Sequence, residues 1–250
     1  MTDKPNVLRD LDPEALSLAR KLVRSAGHVA LAVQDAVSGF PAVSRALTAT
    51  DLDGTPLILV SMLAPHTKSL LAEPRCSLLV GDVGKGDPLA HPRITLFAEA
   101  RQAPRDTPDH QRARRRFLNR HPKAALYIDF PDFSFFRLEP RRASLNGGFG
   151  RAYALDGDAF KIAVPGDPED WLRLEERIMI RYRDATQLAA AVGAPKAHRY
   201  RLAGLDPAGF NLIGGSVSFR YDFVFEGDEW TAVDAELREI LEAVYPIRKI

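Results

Sequence analysis

Residues that could hold an anion lie where a predicted strand meets a short predicted helix. The strand ends at Ser61, and the helix opens with His66, Thr67 and Lys68. The first turn of a helix presents unpaired N–H groups and a partial positive charge, to which a hydroxyl and an ammonium add donors. With Arg45 from a neighbouring strand, this pattern predicts a phosphate site. The alternative, that Thr67 only caps the helix and Lys68 is solvated, is the commoner arrangement on spacing alone and stays open.

A second candidate is a glycine-rich segment that starts at Asn146. Glycines as dense as Gly147, Gly148 and Gly150 around Phe149 predict positive φ angles or a close backbone approach. Asn146, Gly147, Gly148 and Phe149 could therefore border the substrate side of a flat ligand. The same segment could also be a tight turn in a sheet, and it is too short for a dinucleotide-binding fingerprint.

Several common catalytic and metal-binding patterns are missing. The six histidines show neither HExxH spacing nor i, i+4 pairs, so no metal site is predicted. No Gly-x-Ser-x-Gly elbow is present, and the single cysteine, Cys76, lies in an apolar predicted strand. The helix predicted over Pro108–Asn119 carries four arginines, of which Arg112, Arg115 and Arg116 fall on one face that Arg120 extends. Because acidic residues lie close in sequence, these arginines indicate a solvated helix face rather than a nucleic-acid site.

These residues belong to short strands joined by hairpins or single helices. Strands are predicted over His28–Val33, Pro41–Thr50, Pro56–Val60, Cys76–Val80, Arg93–Arg101, Phe133–Leu138 and within Arg142–Ala154. A first helix is predicted from Pro13, behind the cap Asp12. The pattern is typical of an antiparallel barrel with attached helices, not of a parallel sheet.

A boundary is predicted in the proline- and glycine-containing stretch Val164–Pro168. Beyond it we predict a helix over about Glu169–Val192, strands around His198–Leu205 and Gly215–Glu226, and a last helix around Thr231–Val244. This segment has the size of a small α+β domain.

Composition bounds the class of protein but not its chemistry. The 250 residues are 46% hydrophobic and 27% charged, and Lys+Arg 34 against Asp+Glu 33 leaves a formal charge of +1. No overall field therefore favours nucleic acid or a membrane. No apolar run approaches the roughly 20 residues that cross a bilayer, and the N-terminus lacks a secretory signal. We expect a cytoplasmic protein without a membrane or nucleic-acid partner.

Taken in order, several segments resemble the FMN-binding split-barrel family related to pyridoxamine 5′-phosphate oxidase, in the branch of the bacterial haem-utilisation oxygenases. These segments are Pro41–Arg45, Val60–Ala64, His66–Leu70, Pro74–Leu79, Pro92–Leu96, Phe136–Pro140 and Asn146–Ala152. The resemblance implies an α+β protein, with an antiparallel six-stranded split β-barrel and flanking helices over residues 10–163. It also implies a small C-terminal α+β domain over residues 168–250. The tail, through Gly204–Gly209, resembles the small domain that this branch carries.

The same resemblance implies a homodimer with FMN in a cleft at the subunit interface. It places Ser61 and Met62 at the strand end that meets the flavin phosphate, and His66, Thr67 and Lys68 at the start of the phosphate-binding helix. The implied ring and ribityl contacts are Val43, Ser44, Arg45, Arg93 and Thr95.

The function expected from this resemblance is an FMN-dependent oxidoreductase with an unknown small-molecule substrate. The alternatives are a haem-binding or haem-degrading split barrel, or a non-catalytic ligand-binding dimer. Haem-oxygenase relatives carry histidines at the first helix of the small domain, where this chain reads Arg177–Ala185 without one. Iron ligation needs such a side chain, so a ligand would have to come from elsewhere, such as His28 or His198.

Overall fold

The computed structural model describes residues 8–196, 199–223 and 239–240. The chain divides into two compact units, residues 1–161 and 162–250. The first unit contains α1 (Pro13–Ser25), β1 (His28–Gln34), β2 (Pro41–Thr50), β3 (Pro56–Ser61), α2 (Pro65–Ala72), β4 (Arg75–Val80), β5 (Arg93–Ala103), α3 (Pro108–Arg120), β6 (Phe133–Asn146) and β7 (Ala152–Asp156). The second contains α4 (Pro168–Arg181), α5 (Thr186–Ala191), β8 (Arg201–Asp206), β9 (Gly209–Gly214) and β10 (Val217–Asp222).

The first unit is a closed antiparallel barrel. Its strand order is β3-β2-β1-β4-β5-β6-β7, and a further pairing of β3 with β6 closes the first six strands of that order into a ring. Strand β7 extends the sheet outside the ring by pairing with β6. The expected six-stranded split barrel with flanking helices and a small C-terminal domain is thereby confirmed.

Alternating side chains explain why these segments form barrel strands. Val29, Leu31 and Val33 of β1 are buried, and the residues between them are less so. Strand β5 repeats the pattern with Ile94 and Leu96, which are fully buried in the same cluster. Period-two alternation places one set of side chains inside the barrel and the other on its outer face.

Strand β2 is the element that opens the barrel wall. Its residues 41–47 pair with β1, but only Thr48–Thr50 pair with β3. Strand β3 pairs with β6 from Leu57 to Ser61, so that Leu59 lies opposite Phe135 and Ser61 opposite Phe133, but its pairing with β2 ends at Ile58. The two strands therefore separate, and a cleft opens between residues 45–47 and 59–61.

Helix α3 differs from the sequence prediction in what its arginines contact. Arg116 and Arg120 are only 3% and 5% exposed. The Arg116 Nε donates to the Thr50 carbonyl at 2.9 Å, and Arg120 donates to the Ser25 carbonyl. Arg112 pairs with the buried carboxylate of Asp51 at 2.9 Å. The predicted solvated face is wrong for these three side chains, because they lock α3 onto neighbouring backbone and carboxylate oxygens.

The second unit is a three-stranded sheet, in the order β10-β9-β8, with helices. A single helix was expected before it, and two are present. The break comes where the Asp184 carboxylate accepts bonds from the Thr186 N–H at 3.0 Å and its hydroxyl at 2.6 Å, which caps the second helix. Most of the predicted last helix, Thr231–Val244, lies outside the described residues, as does His198. Among the described residues, no helix is long and apolar enough to cross a membrane.

Candidate functional site

The cleft between β2 and β3 is the site that contains most of the predicted anion-binding residues. It has a volume of about 260 Å³ and is open to solvent on one side. Its walls are mainly apolar and aromatic, with one cation and one imidazole. The lining residues are Arg45, Ala46, Leu47, Leu59, Val60, Ser61, Ala64, His66, Tyr127 and Phe133.

His66 and Ser44 form a pair at this cleft. The Ser44 Oγ lies 3.1 Å from the Nδ1 of His66, within hydrogen-bond distance. Partial burial holds the pKa of His66 below its ordinary value. The ring is therefore neutral at neutral pH, with one nitrogen a donor and the other an acceptor.

Ser61 and Met62 are held by a residue that the sequence analysis did not select, Asp132. The Ser61 hydroxyl donates to the Asp132 carboxylate at 2.6 Å, and the Met62 N–H donates to the Asp132 carbonyl at 2.6 Å. The Ser61 oxygen also accepts from the Leu63 N–H at 3.1 Å. The hydroxyl proton of Ser61 is thus already committed to a carboxylate.

Thr67 and Lys68 face different surroundings although they are adjacent. Thr67 is fully buried, and its hydroxyl donates to the Ser61 carbonyl at 2.6 Å. Lys68 is exposed, as is Arg45 on β2. The anticipated cradle therefore has one cation, Arg45, among its lining residues, and Lys68 is exposed further along α2, while both of its hydroxyl donors are used inside the fold.

Arg93 and Thr95 lie on the outer face of the barrel, three strands from Arg45, whereas Val43 lies on that face of β2 only two residues before Arg45. Arg45 is opposite Ala30, Ala30 opposite Leu79, and Leu79 opposite Thr95. Three strand spacings of about 4.8 Å place Thr95 roughly 14 Å from Arg45 along the sheet. One copy of the chain does not bring Arg93 and Thr95 together with Thr67 and Lys68.

The glycine-rich segment belongs to a second cluster, beside Arg93. Asn146 pairs with Arg93 across the sheet, and its side chain accepts from the Gly148 N–H at 3.0 Å. The Gly147 N–H donates to the Arg151 carbonyl at 2.7 Å, so the segment is the turn of the β6–β7 hairpin. Gly148 has a φ of +108°, which requires glycine. Phe149 projects at the tip and is exposed.

Tyr127, Phe133 and Asp132 are site residues that the sequence reasoning missed. Tyr127 follows a short 3-10 turn, Pro122–Leu126, and its ring packs 5.1 Å from that of Phe133. Their sequence signals are the start of β6 just after Asp132 and the family resemblance, which also runs through Tyr127 and Asp132–Phe133. The pairing of β6 with β3, far apart in the chain, brings them to the cleft.

The sequence model of the family described as CREG, β-barrel, matches residues 12–161. The chain is 40% identical over 125 residues to the chloroplastic heme oxygenase HOZ of Arabidopsis thaliana, an alignment that covers 49% of this chain and 37% of HOZ. The chain thus spans little more than a third of that relative.

Two solved structures resemble the chain over most of its length. A protein of unknown function from Agrobacterium tumefaciens is 27% identical, with a TM-score of 0.79, over 94% of this chain and 100% of that one. A heme binding protein from Mycobacterium smegmatis is 25% identical, with a TM-score of 0.56, over 95% and 100%. The matched segment coincides with the closed barrel and its cleft, and the chain belongs to the CREG β-barrel family.

Proposed function

We propose that this protein binds haem, with one face of the porphyrin against the cleft between β2 and β3. The observation that carries the proposal is which of the predicted anion-binding groups already have hydrogen-bond partners within the fold. The hydroxyls of Ser61 and Thr67 are committed to Asp132 and to a backbone carbonyl, while Arg45 is exposed at the cleft and Lys68 is exposed on α2.

A flavin phosphate and a haem propionate make different demands on such a rim. A phosphate dianion has three terminal oxygens and needs several hydrogen-bond donors around it. At the cleft it would face two engaged hydroxyls and the nearby Asp132 carboxylate. A propionate needs one cation, and haem has two propionates for Arg45 and Lys68.

The remaining walls fit the apolar body of a porphyrin. Leu47 and Leu59 supply aliphatic surface, and Tyr127 and Phe133 supply aromatic faces. A pocket of this composition, mainly apolar with a few polar groups, is typical of cofactor sites. Bound haem would supply iron chemistry, either oxygen activation or storage of the haem itself.

The relatives give independent support. HOZ is named a heme oxygenase, and the Mycobacterium smegmatis protein is named a heme binding protein. Whether this chain also degrades haem is a second step of the proposal, because shared fold does not fix the reaction.

FMN is the second candidate, favoured by the two cations near the start of α2. In that case the chain would be a flavin-dependent oxidoreductase acting on a small molecule. Exchange of Lys68 for alanine would then lower FMN affinity by about 1.5–3 kcal/mol, the range for a hydrogen bond to a charged group. Unchanged flavin retention would exclude Lys68 as the phosphate contact.

We also propose a homodimer with the ligand at the interface. The two clusters of predicted residues lie at opposite sides of one sheet, at the cleft and beside Arg93. A two-fold axis on the outer sheet face would let the partner's second cluster approach the cleft of the first copy. The location proposed for this dimer is the cytoplasm.

The test is a pair of titrations on the full-length apoprotein. Ferric haem is expected to give a saturable Soret band at one equivalent per chain, and FMN little quenching of its fluorescence. A flavin that binds tightly, with haem that only adsorbs without saturation, would overturn haem in favour of FMN. Loss of haem absorbance with release of iron in the presence of a reductant would establish degradation.

A further inference from the structure

We infer that His66 is the iron ligand of the bound haem, through its Nε2 atom, and that Ser44 holds the ring in position. This inference rests on the proposed haem function. It assigns iron ligation to a residue of the barrel, because the segment Arg177–Ala185 contains no histidine.

The described histidines differ in what their ring nitrogens contact. The Nε2 of His121 lies 2.8 Å from the Thr48 carbonyl, and the Nε2 of His91 lies 3.0 Å from the Lys85 carbonyl. His110 is buried edge-on against the ring of Phe135. His28 is exposed on the outer sheet face, opposite Leu47. Among the histidines of residues 8–196 and 199–223, only His66 lines the cleft.

Ser44 supplies the contact that a metal-ligating histidine needs on its other nitrogen. Such a histidine donates its second ring N–H to a nearby acceptor, which fixes the tautomer and the ring orientation. The Ser44 Oγ is 3.1 Å from Nδ1, so Nδ1–H can donate to it. The lone pair is then on Nε2, the atom left for iron.

The backbone of His66 is fixed on both sides, which is what a preorganised ligand requires. Pro65 starts helix α2, and the Thr67 hydroxyl ties its first turn to the Ser61 carbonyl at 2.6 Å. Further along the helix, the Ser69 Oγ accepts from the Ala36 N–H at 3.2 Å, which ties α2 to the β1–β2 turn. Before His66, the Ala64 N–H donates to the Ser61 carbonyl at 3.0 Å, so His66 is held between the anchored residues Ala64 and Thr67.

The surroundings of the imidazole suit a porphyrin iron. Tyr127 and Phe133 form the aromatic wall of the same cleft, and Arg45 stands at its rim for a propionate.

The test compares the spectra of ferric and ferrous haem complexes of full-length variants. His66→Ala is expected to lose the histidine-ligated signature, to weaken haem binding by at least tenfold, and to regain the signature when imidazole is added. The matched controls His28→Ala and His91→Ala are expected to keep the wild-type spectrum. A His66→Ala complex with the wild-type spectrum would overturn the inference and leave haem binding intact.

Two further variants distinguish loss of the iron ligand from misfolding of the His66→Ala protein. His66→Cys is expected to replace the histidine signature with that of a thiolate-ligated haem, a change that a purely structural role would not produce. Ser44→Ala should keep the histidine ligand but loosen it, with a mixture of spin states in place of one. A wild-type protein that fails to bind haem would remove the proposed function itself.

Discussion

Asp51 is the side chain on which the charged end of the barrel depends. It is almost fully buried, accepts from Arg112 Nε at 2.9 Å, contacts Arg137, and accepts from the Leu52 N–H at 2.8 Å. Arg137 also reaches Asp53 at 3.0 Å. Asp51 is thus the carboxylate that two largely buried guanidinium groups share, while Arg112 also pairs with Asp109 at 2.8 Å and Arg137 with Glu139 at 3.0 Å. Arg112 belongs to α3, Arg137 belongs to β6, and Asp51 follows β2. The cluster therefore holds these three elements together.

We predict that Asp51→Asn lowers the free energy of unfolding by about 1.5–3 kcal/mol, because it removes the buried charged acceptor that Arg112 and Arg137 share, although each arginine keeps another carboxylate partner. Urea unfolding followed by circular dichroism measures the loss. The control is Asp129→Asn, which removes the surface pair with Arg114 and is expected to cost less than about 1 kcal/mol. Equal losses in both variants would contradict the assignment of Asp51 as the central partner.

The same carboxylate gives the protein an acid limit. Burial alone would raise the pKa of Asp51, but the hydrogen bond from Arg112 and the charge of Arg137 lower it below the ordinary value. Its contribution to stability is therefore complete above the unfolded-state pKa of roughly 3.9 and is lost as the pH falls below it. Between about pH 4 and pH 2, the wild type should lose more stability than Asp51→Asn.

Gly157 is where the turn after β7 packs against β6. A Cβ at this position would stand 2.2 Å from the Pro140 carbonyl oxygen and 2.8 Å from the Arg141 carbonyl carbon. Both are backbone atoms in the middle of a long strand, so neither can move away cheaply. Gly157→Ala is expected to cost about 1–3 kcal/mol through overpacking, as measured by thermal or urea unfolding.

The matched control is the same exchange at Gly27, between α1 and β1. There a Cβ would meet only side-chain atoms at 3.8 Å and 3.9 Å. Gly27→Ala is expected to change stability by no more than about 0.5 kcal/mol. A Gly157→Ala protein as stable as Gly27→Ala would show that the β7–β6 contact is looser than the structure has it.

Local sequence signals predicted the elements well and their long-range contacts poorly. Strand β2 runs over Pro41–Thr50, as expected, because β-branched and alternating residues between turn signals define it locally. The contact of Asp132 with Ser61 depends on closing the barrel through β3 and β6, which no local pattern encodes. The arginines of α3 were placed in solvent because burial of a guanidinium depends on partners from distant segments, such as the Thr50 carbonyl.

The outer face of the sheet is the surface on which the proposed dimer depends. It exposes Val43 and Leu79 on strands that flank Ala30 and Ala32 of β1, and Arg142 lies 3.6 Å above the ring of Phe97. An apolar stripe with cations at its edge suits a second copy, because the same patch then meets itself around a two-fold axis.

We predict a dimer in solution and its loss on Leu79→Asp, since a carboxylate would be buried there without a partner. Sedimentation velocity over a concentration series measures the change, expected to be a rise of at least tenfold in the dissociation constant. The control is Leu126→Asp, which places the same charge at an exposed leucine outside the sheet. A monomeric wild type that still binds haem would rule out the interface cleft.

The barrel should fold and bind haem without the second unit. Phe160 packs in its core, and Arg20 donates to the Ala159 and Lys161 carbonyls at 2.9 Å and 3.3 Å, so the first unit is held together up to its last residue. Ser44, His66 and the whole cleft lie within that unit. A chain that stops after Val164 is therefore expected to unfold cooperatively and to give the haem spectrum of the full-length protein.

This truncation separates a ligand in the barrel from one that the second unit might supply, such as His198. If the shortened chain folds but its Soret band differs from that of the full chain, the iron ligand comes from beyond residue 164. If the spectrum is kept and then lost on adding His66→Ala to the shortened chain, the ligand is in the barrel. Folding of the shortened chain is measured separately, by a cooperative urea transition. Loss of the Soret band through unfolding is thereby distinguished from loss of the iron ligand.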